Sequence, residues 1–493
     1  MCSNFRRAIN LGKLDWFVIS FVVLLMLFFG NFHWHVRQAH FGLDEMHNLY
    51  TYWTPSLWRL VLEQLVFWSK FVRPMGVIYY RPLFALFGLN PVPFTIVRTA
   101  ILFLNTILFL RLAFQITKSK WIAVLASFPV AYHANLGNLA YDGAFIYDGL
   151  CGTFYFSALL YYISCRQGRN TQHSIPNTSL LLPWIRSPLA TSQSFWFLIL
   201  YLCALNTKEM AVSLPIVVLA YELFYRGRKA QMGAILLAVV ITAVFIVGKT
   251  TGSGTLIELD AYRPAFTWSR FSESTTRFMN TLFYTDVFTM GRVISLWLFL
   301  LYIGFRNWGL PKWDPRWLFL FVWVAATPLP IVFLPDRGAA TLYLVAGGWA
   351  MLVALGARIL AHRLAREPVA GLPRRAVMVA TLITCIAAYW HETTRADRRV
   401  LNWYLTEGSD GEEATRQLRA LHIHPSNHAR VAFINDPFPK TYHTLFIATL
   451  LWADRSVEIN LQQIYPLPKP ELDAMDYILD YVDGRFVIIR GRL

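Results

Sequence analysis

Eleven apolar runs punctuate the first 390 residues, at about 16–32, 92–110, 121–141, 149–165, 188–206, 210–224, 230–248, 290–305, 317–335, 339–357 and 376–390. Each approaches the ~20 residues that a helix needs to cross the hydrocarbon of a bilayer. A chain built this way cannot fold as a soluble enzyme, because too much apolar surface would face water. Composition agrees: 56% of the 493 residues are hydrophobic and only 15% charged, where soluble domains carry about 25% charge. The sequence therefore predicts an all-α polytopic membrane protein with about eleven transmembrane helices.

The net charge of +16 does not point to nucleic acid. Lys and Arg gather in short clusters between the apolar runs, as topology signals do. The first run follows Arg6, Arg7 and Lys13 and is not followed by a small-x-small cleavage site, so it reads as a retained signal anchor with its N-terminus inside. Alternating the spans from there puts only Asp15, Glu222, Asp314 and Glu367 inside, of the fifteen acids in residues 1–391. Acids contribute little to topology, so the eleven outside imply a polar site on the outer face. The five cysteines form no CxxC pair, which argues against disulfides and zinc.

Two outer loops are long, about 33–91 and 249–289. In the first, Leu57, Leu60, Val61, Leu65, Phe67, Trp68 and Phe71 recur at near-helical spacing and suggest amphipathic helices on the membrane surface. Residues 1–391 form the expected membrane domain. Residues 392–493 hold 14 of the 29 acids and the strand-like runs Arg430–Ile434, Ser456–Leu461 and Phe486–Arg490, with apolar helix-like stretches between. They predict a small extracytoplasmic α/β domain.

Five constellations fall on the outer face. Asp44-Glu45 follows the first span, with His47, Tyr50, Tyr52 and Trp53 close behind; carboxylates beside aromatic rings suit a sugar, and the pair could take a proton or contact a cation. Arg81, in "YRPL", stands at headgroup height before the second span, where a guanidinium can bind phosphate bidentately. Asp142 and Asp148 flank the junction of the third and fourth spans, and an acid inside a membrane helix is a functional candidate. Lys208-Glu209 sits at a tight outer turn, where the two could pair with each other or Lys208 could meet a lipid phosphate. Asp336-Arg337 opens a late span, with Tyr343 one to two helical turns on.

Taken in order, the acidic "DE", "YRPL", "NTKEMAVSLPIVVLAYEL" and "DRGAATLYL" motifs resemble the GT-C superfamily, membrane glycosyltransferases that use polyprenol-linked sugar donors, and within it the O-mannosyltransferase-like branch. The resemblance spans residues 15–390. It departs where no tetratricopeptide repeats follow, and where the late Arg-to-Tyr spacing is wider than usual. It implies a GT-C-like fold and an inverting transfer of a hexose from a polyprenyl-phosphate donor to an acceptor hydroxyl on a glycan, lipid or protein. Asp44 would be the general base, with Glu45 orienting the acceptor or contacting a metal. Arg337, Lys208 and Arg81 would hold the donor phosphate; Asp142, Asp148, Glu209, Asp336 and Tyr343 would line the substrate site. Mg²⁺ or Mn²⁺ is a possible cofactor, with Asp44 and Glu45 as ligands. A bacterial inner membrane, with the N-terminus cytoplasmic and the C-terminal domain periplasmic, is the expected setting. The only N-x-S/T sequon, Asn177-Thr178-Ser179, lies in a loop assigned to the cytoplasm. Rival readings are a transporter or flippase of lipid-linked saccharide, an O-antigen polymerase or ligase, and a membrane scaffold. The absence of an internal repeat disfavours the transporter.

Overall fold

The computed structural model describes residues 16–56, 58–60, 73–168, 192–227, 230–251, 258–306, 314–364 and 374–491. Among these, the membrane bundle runs α1 Trp16–His33, α2 Leu43–Trp53, α3 Val77–Phe87, α4 Pro91–Thr117, α5 Lys120–Ala131, α6 Ile146–Gly168, α7 Ser192–Leu205, α8 Leu214–Tyr221, α9 Gly233–Thr250, α10 Trp268–Leu282, α11 Met290–Arg306, α12 Pro315–Ala326, α13 Tyr343–Leu364 and α14 Arg374–Thr406. Every apolar run coincides with a helix, and seven helical segments are by themselves long and apolar enough to cross a membrane. The chain is a multi-pass membrane protein. α4, α5, α6 and α13 form the centre of the bundle, with α1, α7 and α12 packed around them.

Local chemistry sets several boundaries. Asn90 accepts a hydrogen bond from the Val92 amide, and Pro91 opens α4 where its missing N–H costs nothing. Lys118 ends α4 in the left-handed conformation, and Ser119 then caps α5. The run at 121–141 is not one span. Its backbone becomes extended at Tyr132 and His133, three residues after Pro129, and continues as short turns through Ala134–Leu136 and Asn138–Tyr141. α14 spans 33 residues, about 50 Å at 1.5 Å per residue, against ~30 Å of hydrocarbon. Residue 391 thus lies inside a continuous helix that carries the chain out of the bundle.

Beyond α14 come α15 Ser409–Ala420, β1 Arg430–Phe433, α16 His443–Trp452, β2 Glu458–Leu461, β3 Tyr477–Val482 and β4 Arg485–Arg490. The sheet order is β2-β1-β3-β4, with β1 parallel to both neighbours and β3 antiparallel to β4. The sequence reading missed β3. Its hairpin with β4 turns at Asp483 and Gly484, both at positive φ, the Asp-Gly preference of a type I′ turn. This domain is fused to the first outer loop. Phe41, Leu49, Tyr52 and Tyr80 share one hydrophobic core with Leu418, Phe433 and Ile447. Of the amphipathic stretch, Leu60 is buried in that core; Leu57, Val61, Leu65, Phe67, Trp68 and Phe71 lie outside the described residues, as does the sequon.

Candidate active site

α2 begins after Gly42, which is extended, and places Asp44 and Glu45 in its first turn, where the helix dipole favours acids. The two carboxylates then part. Asp44 is exposed and faces a cavity. Glu45 is buried, its Oε2 accepting from the Gly143 amide at 3.1 Å and its Oε1 3.6 Å from Arg98 Nη1. A Cβ at position 143 would lie 1.6 Å from Glu45 Oε1, so only glycine admits this approach. Burial outweighs the pull of Arg98 and holds the Glu45 carboxyl up at about 7. Asp142 caps Ala144 with a 2.8 Å bond, and burial raises it to about 6.

The cavity measures about 620 Å³ and draws its walls from seven parts of the chain, Ala144, Phe145 and Tyr147 at the start of α6 among them. Asp44, His47 and Asn48 come from α2, Lys208 and Glu209 from the turn before α8, Lys249 from the end of α9, and Arg337 from the turn before α13. Arg73 and Tyr262 come from the two outer loops. Phe245, Ile246, Leu329, Ile331, Phe333 and Leu334 make one side apolar. Ion pairs fix two of the cations: Arg73 donates to both Glu209 oxygens at 3.3 and 3.2 Å, and Lys208 Nζ lies 2.9 Å from Asp148 Oδ2. Arg73 also donates to the Tyr262 hydroxyl at 3.1 Å, and the Arg337 guanidinium stacks 3.6 Å over the Tyr262 ring. Tyr52 anchors the Arg73 carbonyl at 2.5 Å and accepts from Tyr147, so α2, the loop and α6 share one network. The cavity thus combines four cations, one exposed carboxylate and an apolar wall. It can hold an amphiphilic anion beside a general base.

Of the residues singled out in the sequence, Asp44, Lys208, Glu209 and Arg337 line this cavity. Lys208 and Glu209 pair with Asp148 and Arg73 rather than with each other. Arg81 is elsewhere, donating to the Pro55 carbonyl at 3.0 Å. Asp336 turns away from Arg337 and lies 2.6 Å from Arg277. Tyr343 is buried in the bundle and donates to the Val130 carbonyl at 3.2 Å. Arg73, Lys249 and Tyr262 were not anticipated. Lys249, at the outer end of a span, carried the same signal as Arg81, a cation at headgroup height. Arg98 was missed as well, although a guanidinium within an apolar run is the kind of residue that invites attention. Its Nε and Nη2 donate to the carbonyls of Ala140 and Tyr141 at 2.7 and 3.1 Å.

Among the described residues no three His, Cys, Asp or Glu side chains gather into a group that could hold a metal ion. Asp44 and Glu45 point into different surroundings.

No protein-family model and no curated protein sequence matches the chain. Solved structures do. ArnT from Cupriavidus metallidurans bound to undecaprenyl phosphate aligns with 98% of this chain and 100% of its own, at a TM-score of 0.52 and 14% identity. The apo state of the same protein gives 0.47 at 13% identity, covering 90% and 85% of the two chains. The Archaeoglobus fulgidus oligosaccharyltransferase tethered with an acceptor peptide gives 0.46 at 12% identity, covering 90% of this chain and 64% of its own. At these identities the likeness is one of architecture. The chain shares the fold of ArnT over nearly its whole length.

Proposed function

We propose that this protein is a membrane glycosyltransferase that moves a sugar from a polyprenyl-phosphate-linked donor to an acceptor hydroxyl. The observation that carries the reading is the cavity itself, where Asp44 stands in the same space as Arg73, Lys208, Lys249 and Arg337, next to an apolar wall. A polyprenyl phosphate has the matching form, an anionic head on a hydrocarbon chain. ArnT, which shares the fold, has been crystallised with undecaprenyl phosphate.

In this reading Asp44 takes the proton from the acceptor hydroxyl as its oxygen attacks the anomeric carbon. The bond to the phosphate oxygen breaks on the opposite face, so a single displacement inverts the centre. The leaving phosphate needs charge stabilisation more than protonation, and Arg337 and Lys208, joined by Arg73 and Lys249, supply it. Glu209 and Asp148 hold two of those cations in position. The setting is a bacterial inner membrane with the site on the periplasmic face.

Radiolabelled polyprenyl-phosphate mannose and related donors, offered to the protein in nanodiscs, test the reading. Saturable binding and sugar release by the wild type, with binding lost in Arg337→Ala, are the expected results. Binding without sugar release, joined by transbilayer movement in sealed proteoliposomes, would instead make the protein a flippase, and binding of no donor would remove the reading.

A further inference from the structure

A second cavity of about 600 Å³ opens between α10, α14 and the turn after α5. Its walls differ in kind from those around Asp44. Eleven of its thirteen lining residues have polar side chains, with Ala396 and Val400 the exceptions. Two cations, Arg277 and Arg399, meet two acids, Glu273 and Asp286, so the lining carries no net charge. With no net charge, such a surface gives an anionic lipid head no preference, and the apolar parts of its side chains can stack on the C–H faces of sugar rings. It suits a neutral ligand dense in hydroxyls.

The cavity lies near the first. A smaller concavity of about 340 Å³ shares Arg277 and Thr281 with the polar cavity, and shares Arg337 and Gly338 with the cavity around Asp44. The Arg277–Asp336 ion pair, 2.6 Å long and partly exposed, stands at this junction. Tyr284 forms part of the polar wall in a left-handed conformation, φ 53°, that non-glycine residues seldom adopt. The Ala134 amide, donating to its hydroxyl at 2.8 Å, and the stack of its ring on His133, centroids 4.2 Å apart, hold it there. Asn280 bonds both the amide and the carbonyl of Phe288, fixing the loop between α10 and α11. The side chains of Arg399 and Asp286 are exposed at this cavity and Thr276 is half-buried beside them, so a ligand there can reach all three.

We propose that this cavity binds the acceptor, and that the acceptor is a neutral oligosaccharide whose reacting end passes Arg277 and Arg337 to reach Asp44. The assignment rests on the glycosyltransferase reading and names its second substrate class. It separates the two substrates by chemistry: the anionic lipid donor lies among cations and apolar side chains, and the hydroxyl-rich acceptor among amides, hydroxyls and balanced charges.

Two binding measurements on the full chain in nanodiscs test this. One uses fluorescent neutral oligosaccharides of three to seven hexoses as probe, the other polyprenyl phosphate. Thr276→Trp fills the cavity from a partly exposed helix position, and Arg399→Ala removes an exposed donor. Saccharide affinity should fall by about tenfold or more in each variant, the loss of one or two good hydrogen bonds, with polyprenyl phosphate binding unchanged. Saccharide binding by the wild type that both variants retain would overturn the proposal, as would no saccharide binding at all or loss of polyprenyl phosphate binding in Thr276→Trp. Failure of the wild type to bind polyprenyl phosphate would fall instead on the donor reading, and the two failures are read in separate assays.

Discussion

Asp44 and Glu45 differ by one methylene and one position, yet the fold gives them opposite environments. Asp44 is exposed on the cavity, so Asp44→Asn should leave the melting temperature nearly unchanged and cut transfer by about 10²–10⁴-fold, the usual worth of a general base. A variant that keeps full turnover in the nanodisc assay would remove Asp44 from that role. Glu45 is instead a folding group with a pH signature. Its carboxyl sits at about 7 in the folded protein, against the ordinary glutamate value of 4.5. The folded state then binds more protons than the unfolded one between those values, so its contribution to stability is full below about pH 4.5 and declines as pH rises to about 7. The decline is on the order of 2–3 kcal/mol, with Asp142, raised to about 6, adding in the same direction. Glu45→Gln keeps the acceptor for the Gly143 amide and should flatten the fall in melting temperature from pH 5 to 7; an unaltered slope would contradict the assignment. At this scale the sequence revealed the polar residues but not their partners. It read Asp44-Glu45 and Lys208-Glu209 as pairs because they are adjacent, whereas the fold pairs Glu45 with Arg98, Lys208 with Asp148 and Glu209 with Arg73, contacts 53, 60 and 136 positions apart.

The helices were legible because a bilayer permits little else: every backbone N–H and C=O in hydrocarbon must be paired within the segment. Apolar length therefore located the helices beneath the eleven runs but not α2, α3 and α10, and it failed where tertiary contacts replaced lipid, as at Tyr132 and His133. The tail was harder to read, since a strand such as Tyr477–Val482, half covered by neighbours, lacks strict alternation. How the tail joins the bundle was not legible at all. Gly408 links α14 to α15 at φ 83°, and a Cβ there would lie 2.3 Å from the Phe41 carbonyl oxygen. Phe41 stands just ahead of α2, so this backbone approach ties the C-terminal domain to the Asp44 helix. Gly408→Ala meets both the left-handed penalty and a contact with backbone that cannot rotate away. It should cost at least ~2 kcal/mol, seen as a lower melting temperature together with reduced transfer. A melting temperature equal to wild type would show that the junction yields.

Across the whole molecule the charges divide by purpose. α6 starts near Asp148 and ends near Arg166, about 27 Å apart along its axis. At the Asp148 end lie Asp44, Lys208 and the C-terminal domain; at the Arg166 end Glu222 accepts Arg166 at 2.6 and 2.8 Å and Tyr162 at 3.0 Å, a closed buried network that leaves no cavity-facing acid. That asymmetry is what the sequence recorded as an excess of outer acids. It is explained if one end must keep a carboxylate and several cations ready for substrate while the other needs only to hold the helices together. In the proposed reading lipid-linked donor and acceptor approach the Asp148 end, and that reading predicts a topology with this end outside. Ser426, exposed in the C-terminal domain, and Ser164, exposed near the Arg166 end, report the two ends. In bacterial cells with a permeabilised outer membrane, Ser426→Cys should react with a membrane-impermeant maleimide above the wild-type background, and Ser164→Cys should react only after the inner membrane is opened. The reverse pattern would put the cavity on the cytoplasmic face, where a periplasmic acceptor could not reach Asp44.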